Sequence, residues 1–328
     1  MVEVHAGAEV ADAERLRYLS GKAGKLQQAI QRAIVGKEQA IELLVIGLAA
    51  RGHVLIEDVP GVGKTALARA LARCVGSEFR RIQFTPDLLP SDITGISLYD
   101  PEKKDFQFRP GPIFAQIILA DEVNRTTPRT QAALLEAMND FQVSTDGRTY
   151  PLPKPFMVIA TQNPLEFAGT YPLPESQLDR FMLRIRMGYP SPEQEVGMLA
   201  SHRTGEPVDT LPVILKASEV VELSEASSRI KFDPAIAAYL VAIADRTRRE
   251  PHFAAGVSPR GSIALYRAAQ ARAMVRGRDY VVPDDVKELT IPVLAHRIVE
   301  RGPRTSSERG SAVRVLQSIL AELPVPAV

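Results

Sequence analysis

The 328-residue chain has no tryptophan, one cysteine and only 6% aromatic residues. Each scarcity removes a class of protein. A single cysteine, Cys74, cannot build an internal disulfide framework and fits a reducing compartment. Its helical spacing from Leu67 and Leu71 suits a small core hydrophobe rather than a reactive thiol. The histidines (His5, His53, His202, His252, His296) are scattered without ligand spacing, which argues against a structural metal. Lys plus Arg number 40 against 39 Asp plus Glu, a net charge of +1, so no global field recruits nucleic acid or an anionic membrane. Apolar stretches such as Leu43–Ala50 are too short to span a bilayer. The first residues, MVEVHAGAEVADAERL, lack the apolar core of a signal peptide. Neither GxSxG nor HExxH occurs. A cytoplasmic protein with no integral membrane segment is expected.

What the chain does have is an ordinary globular composition, 45% hydrophobic and 24% charged, over a length that suits two domains. Residues 1–10 read as frayed, and 11–33 as a helix that Ile34-Val35-Gly36 breaks. These form an N-terminal helical extension over 1–32. An apolar helix follows from about Glu38 to Ala50. Residues 54–65 open on an apolar strand, and four later apolar runs read as buried parallel strands: Arg80–Phe84, Ile117–Ala120, Phe156–Thr161 and Phe181–Met187. With a helix at Gln131–Asp140 between two of them, they predict an α/β fold over 33–190, an αβα layered core around a parallel sheet. Two segments interrupt it. Residues 85–112 are Pro-, Gly- and Asp-rich and too long for a plain connection. Residues 141–155 carry Asp146-Gly147 between two β-prone runs, a hairpin signal. Residues 191–217 read as a linker. From 218 to 328 the pattern is all helical: Ser218–Ser227, Pro234–Arg248, Pro259–Arg276, Pro283–Ala295 and Ser307–Glu322.

The chemistry is concentrated at strand ends. Val54–Thr65 is an apolar strand, a glycine-rich loop (Asp58-Val59-Pro60-Gly61-Val62-Gly63-Lys64-Thr65) and the start of a helix, the arrangement of a P-loop. Gly61 and Gly63 let the backbone N–H groups curl inward as an anion nest. Lys64 suits the β- and γ-phosphates, Thr65 offers a hydroxyl to Mg²⁺, and the helix that continues through Ala66 points its positive end at the phosphates. Asp58 stands where GxxxxGK[ST] has its first glycine, and its carboxylate must point away from an anion. Ile117–Glu122 is an apolar strand ending in two acids. Asp121 is placed for the Mg²⁺ shell and Glu122 to polarise an attacking water. Val158–Pro164 ends in amides, of which Asn163 suits orienting that water. Ser258-Pro259-Arg260 starts a helix with a cation in its first turn, where the dipole disfavours it unless phosphate is near. Arg180, in Glu175–Phe181, reads from local sequence alone as a surface ion-pair partner.

Taken together, PGVGKT, ILADE, Asn163, Asp179-Arg180-Phe181 and Ser258-Pro259-Arg260 resemble AAA+ ATPases. IVGKEQA, LIEDVPGVGKT, RIQFTPDLLPSDITG, GPIFAQIILADEVNR, ALLEAMND, VIATQNP and YPLPESQLDRF are similar to the MoxR family within them, over residues 33–300. The resemblance implies a RecA-like nucleotide domain plus a helical lid, using ATP and Mg²⁺, assembled as a ring, commonly a hexamer. It identifies 85–112 with the helix-2 insert and 141–155 with the pre-sensor-one hairpin. By the same resemblance Arg180 is the arginine finger acting on the adjacent protomer's nucleotide, Arg260 the sensor-two residue, and Val35 and Gly36 the adenine lining. Asp58 for glycine is usual in MoxR-like chains.

MoxR-like ATPases resemble chaperones, often paired with von Willebrand factor A domain proteins, that help insert metals or mature enzyme complexes. A nucleic-acid motor is the competing reading, on the arginines of the helical region, but aromatic interleaving is sparse there and the hairpin offers only Arg148 and Lys154. A magnesium-chelatase-like subunit stays open. A nucleotide-gated module without hydrolysis is disfavoured by Glu122.

Overall fold

A computed structural model describes residues 2–164, 169–201, 203, 205–301 and 311–327. Helices α1 (Val2–Ala33) and α2 (Glu38–Ala49) precede strand β1 (Val54–Glu57), which passes through the glycine loop into α3 (Lys64–Cys74). Next come β2 (Phe79–Gln83), α4 (Pro90–Thr94) and a hairpin, β3 (Gly95–Asp100) with β4 (Asp105–Pro110). β5 (Ile117–Asp121) and α5 (Pro128–Asp140) lead to a second hairpin, β6 (Gln142–Thr145) with β7 (Arg148–Pro151). β8 (Met157–Gln162), α6 (Glu175–Leu178) and β9 (Leu183–Ile185) complete the first half. The second half is α7 (Pro192–Ser201), α8 (Ala217–Ser227), α9 (Pro234–Arg248), β10 (Phe253–Ala255), α10 (Pro259–Val275), α11 (Pro283–Leu294), β11 (Val299–Glu300) and α12 (Ser311–Glu322).

The five long-range strands form one parallel sheet in the order β2-β5-β8-β1-β9. Its residues alternate between two faces as the pleat requires. Val54, Ile56, Ile117, Leu119, Ile159 and Leu183 join one core, and Leu55, Ile118, Ala120, Val158 and Ala160 the other. The second core is closed by α5 and the base of the β6–β7 hairpin. The first core does not stop at the nucleotide half. It runs from Leu19 on α1 through α2 and α3 to Leu265, Leu289 and Leu316 in the helical half. α2 explains this continuity: Ile41, Leu44, Val45, Ile46 and Ala49 are fully buried, because α2 packs against α1, α8, α10 and β9 together. A salt-bridge group reinforces the seam. Buried Arg272 of α10 meets Asp285 and Glu288 of α11, and reaches Glu42 of α2 at 3.6 Å.

Several expectations need correction. α1 begins at Val2, not after a frayed stretch to residue 10; the segment has no proline and is rich in Ala and Glu, good helix formers. Residues 192–201, read as linker, form α7, started by Ser191 Oγ accepting from Gln194 N–H and Gln194 Oε1 accepting from Ser191 N–H. β2 is not a buried strand. It forms the sheet edge, so only Ile82 is buried in it. Residues 95–110 form a hairpin that the sequence pattern did not announce. The Asp146-Gly147 hairpin does form, with φ of 50° and 71° at its two turn residues, the signs a tight two-residue turn needs. Cys74 is fully buried and free, and burial pushes its thiol up to about 11. The expected start of the last helix at Ser307 lies outside the described residues.

Candidate nucleotide site

The connection after β1 crosses the sheet to edge strand β2, and the one after β8 crosses to β9 on the other side. The chain therefore leaves β1 and β8 in opposite directions, which opens a crevice at their C-terminal ends where open α/β sheets hold ligands. Gly61 and Gly63 follow β1, Asn163 follows β8, and Asp121 is the last residue of β5 beside them. Gly61 (φ 84°) and Gly63 (φ 90°) take the left-handed conformation that turns successive N–H groups to one side. α3 starts at Lys64, so its unpaired N-terminal donors face the same loop. Lys64 Nζ donates to the carbonyls of Asp58 at 2.6 Å and Val59 at 3.2 Å, folding back over the loop.

Asp58 avoids the anion nest by turning its carboxylate toward the exit of β9. Its Oδ2 accepts the N–H groups of both Met187 and Gly188 at 2.6 Å, and its Oδ1 accepts from Val59 N–H at 2.8 Å. Lys37 reaches the same segment, donating to the Gly188 carbonyl at 2.9 Å. Gly36, φ 73°, lies against the side chain of Gln194 of α7, so close that a Cβ there would sit 2.2 Å from Gln194 Cδ. Val35 and Gly36 thus lie beside the segment that leaves the sheet at Met187. Pro60, Val62 and Ala66 contribute to the loop and first helical turn around Lys64 and Thr65.

The acids are held more tightly than the sequence suggested. Asp121 is buried, 8% exposed. Its Oδ1 accepts from the Thr161 hydroxyl at 2.5 Å, and its Oδ2 accepts from Arg81 Nη2 at 2.6 Å and Nε at 3.0 Å. Glu122 has φ 59°, a left-handed conformation costing on the order of 1 kcal/mol for a residue with a Cβ. Its N–H donates to Thr161 Oγ1 at 2.9 Å, and its Oε2 accepts from Gln83 Nε2 at 2.7 Å and lies 3.4 Å from Arg125 Nε. Thr161, Arg81 and Gln83 were not anticipated. Register supplies the reason: β2 and β8 flank β5, Gln83 pairs with Asp121, and Ala120 pairs with Ala160. Side chains near the ends of both flanking strands therefore meet the acid pair. Asn163 is buried at 7% exposed, immediately beyond β8.

Arg180 and Arg260 are elsewhere. β9 runs parallel to β1 with Leu183 opposite Val54, so Arg180 precedes the N-terminal end of the strand pair while the P-loop follows its C-terminal end. Four residues of strand alone separate them by about 13 Å. Arg180 lines a cleft of about 210 Å³ with Leu135, Glu136, Asn139, Asp140 and Gln177. Its guanidinium has no hydrogen-bond or ion-pair partner among the described residues. Arg260 joins Arg180 rather than the P-loop, donating to Asn139 Oδ1 at 2.6 Å with Nε 4.0 Å from Asp179. Among the described residues no cluster of three or more His, Cys, Asp or Glu is placed to hold a metal ion.

These features define a P-loop ATPase core with a helical lid. Residues 53–183 match the ATPase family associated with various cellular activities (AAA), and residues 245–319 match the AAA lid domain. The chain is 48% identical to the uncharacterised protein YeaC of Bacillus subtilis, covering 92% of this chain and 94% of that one. It is 42% identical to Chaperone MoxR1 of Mycobacterium tuberculosis, over 92% and 83% of the two chains. It is 33% identical to Protein MoxR of Methylorubrum extorquens, over 84% and 87%. A solved structure of a candidate ATPase from Cytophaga hutchinsonii superposes over the whole of both chains with a TM-score of 0.87 at 34% identity. The chain belongs to the MoxR family of AAA+ ATPases.

Proposed function

We propose that the protein hydrolyses ATP to ADP and phosphate in a ring of identical subunits, and uses the cycle to remodel or mature a partner protein. The observation that carries this reading is the division of the site. The anion nest and the acid pair lie at one end of the sheet, while Arg180, a half-buried arginine whose guanidinium has no partner among the described residues, faces a cleft at the other end. A single chain cannot bring both to one phosphate, whereas a head-to-tail ring can.

Val35 and Gly36 border the base, the backbone of Pro60–Gly63 and the N-terminus of α3 through Ala66 cradle the phosphates, and Lys64 exchanges its loop carbonyls for the β- and γ-phosphates. Thr65 and Asp121 are the groups that would hold Mg²⁺, which when bound neutralises charge on the phosphate oxygens. Asn163 orients the attacking water. Glu122 accepts its proton as the water oxygen bonds to the γ-phosphorus and the bond to the ADP oxygen breaks. For Glu122 to do this its carboxylate must leave Gln83. The neighbouring subunit's copy of Arg180 meets charge on the transferring phosphoryl group. Arg260, grouped with Arg180, serves the same shared site.

The name Chaperone MoxR1 carried by a relative favours a protein client, with a von Willebrand factor A domain protein as partner and metal insertion or complex maturation as the outcome. The near-neutral charge favours this over a nucleic-acid motor. Replacing Arg180 by Ala is expected to abolish turnover while sparing ATP binding. Normal turnover in that variant would refute the shared site. Glu122→Gln should retain ATP and trap the engaged client for identification by co-purification; recovery of nucleic acid alone would overturn the protein-client reading.

A further inference from the structure

Among the described residues Arg297 is the most completely hydrogen-bonded buried cation in the helical half, and nothing in the reaction above uses it. It follows α11 in the lid, with a side chain only 3% exposed. A guanidinium has five N–H donors in a rigid plane. Here Nε donates to Asp179 Oδ1 at 2.8 Å, Nη2 to the carbonyls of Asp179 at 3.1 Å and Phe181 at 2.9 Å, and Nη1 to the carbonyls of Met182 at 3.1 Å and Val293. Four of these five acceptors lie on residues 179–182, the segment that carries Arg180. The adjacent His296, also buried, places Nε2 2.9 Å from the Phe181 carbonyl. A carbonyl only accepts, so Nε2 carries the proton, and burial together with Arg297 and Arg184 keeps the ring neutral by holding its pKa well below the ordinary value.

The residues on either side of Arg180 are therefore held from the lid as well as by their own short helix, the four-residue α6, whose Glu175 and Leu178 carbonyls accept from Asp179 and Phe181 N–H. The same lid carries Arg260, 4.0 Å from the Asp179 carboxylate that Arg297 grips. We infer that Arg297 is a positioning residue for the trans-acting Arg180: it transmits the orientation of the lid to the arginine offered to the neighbouring subunit's phosphate. This rests on the shared-site reading above. The substrate is never touched by Arg297. A lid movement that tilts the guanidinium plane must drag the 179–182 backbone with it, because every donor is committed.

Two variants separate positioning from folding. Arg297→Lys keeps the charge but has three donors that cannot form the planar fork. Asp179→Asn removes the charge of the acceptor while leaving its size. Both should stay folded, bind a fluorescent ATP analogue within about twofold of wild type and keep KM. kcat should fall about tenfold to a hundredfold, the range for a reacting group displaced by about an ångström. Mixing supplies the readout that a merely structural role would not move. An Arg297→Lys subunit retains a sound nucleotide site, and a Glu122→Gln subunit retains a sound Arg180. Equimolar mixtures of these two weakly active proteins should therefore turn over faster than either alone, as mixtures of Arg180→Ala with Glu122→Gln should. If Arg180→Ala is inactive and complements but Arg297→Lys has wild-type kcat, or fails to complement, the inference falls and the shared site stands. If Arg180→Ala has wild-type turnover, the shared site itself falls and the role of Arg297 with it.

Discussion

His53, just ahead of β1, sets a pH limit on the fold that can be worked from its contacts. It is 4% exposed. Val158 N–H donates to its Nδ1 at 3.0 Å, so that nitrogen must be unprotonated, and Nε2–H donates to the Met138 carbonyl at 2.9 Å. One neutral ring thus joins the start of β1, the end of α5 and the start of β8, wedged between Phe141 and Phe156. A second proton would cost the Val158 bond and bury a charge. Burial accordingly lowers the pKa from 6.5 to about 4. As pH falls, the unfolded chain takes up the proton first, so stability is complete above the unfolded value and declines as pH drops toward the folded one. Between about pH 7.5 and about pH 4.5 this one group should remove about 2.5 kcal/mol. The check is urea unfolding at both pH values for wild type and His53→Gln, whose amide can still accept from Val158 and donate to Met138. The glutamine variant should be less stable at neutral pH, with its acid loss about 2.5 kcal/mol smaller than wild type's. His296 titrates in both proteins and cancels in the comparison. Equal acid losses would show that His53 titrates normally, and the argument from its buried bonds would fail.

Three further substitutions test the site and its frame. Thr161→Val keeps shape but strips the hydroxyl shared by Asp121 and the Glu122 N–H; it should cost about 2 kcal/mol in denaturant unfolding, as for a buried polar pair left unmatched, and lower kcat more than ATP affinity. Asp58→Ala leaves the Met187 and Gly188 N–H groups without their acceptor, and nucleotide titration should show weaker ATP binding by about tenfold, equivalent to about 1.4 kcal/mol. Arg272→Met removes the cation among Asp285, Glu288 and Glu42 and should destabilise the fold by about 3 kcal/mol in urea unfolding, with Arg278, 2.7 Å from Asp285, limiting the loss.

What the sequence made legible was what local chemistry encodes. The P-loop needs glycines with positive φ and a lysine at fixed spacing, so Gly61, Gly63 and Lys64 announce themselves. The tight turn at Asp146-Gly147 does so for the same reason. The β5 acids stand out because buried strand ends seldom carry carboxylates. The supporting side chains were not legible, because they depend on register. Arg81 and Gln83 lie on an edge strand and look like solvent-facing polar residues until β2 is placed beside β5. Thr161 looks like any β-branched residue in an apolar strand. α7 was missed because Pro192, Gly197 and a polar composition read as linker, whereas the reciprocal Ser191–Gln194 cap starts a helix with no buried residue. Arg297 followed an apolar helix and carried no motif of its own.

The division into a nucleotide half and a helical lid describes composition better than mechanics. If the two halves had separate cores, the lid could swing without disturbing the sheet. One core instead runs from α1 through α2 into α10, α11 and α12, and Arg272 and Arg297 tie the lid at two places, one to α2 and one to residues 179–182. Beside the P-loop, burial is thin over the stretch from Gly188 to Ser201, where α7 has no buried residue and Asp58, Lys37 and Gly36 make the contacts. A change at the phosphate site that shifts Asp58 pulls on Met187 and Gly188 at one end of β9. The lid holds Asp179–Met182 at the other end through Arg297. β9 is only three residues long, so on the proposed shared-site reading it is a short rigid rod between a subunit's own nucleotide loop and Arg180. Asp58 and Arg297 lie at the two ends of that rod, so Asp58→Ala subunits should still restore turnover to Arg180→Ala subunits at ATP concentrations too low to fill their own sites: the loop end is lost while the lid end still holds Arg180.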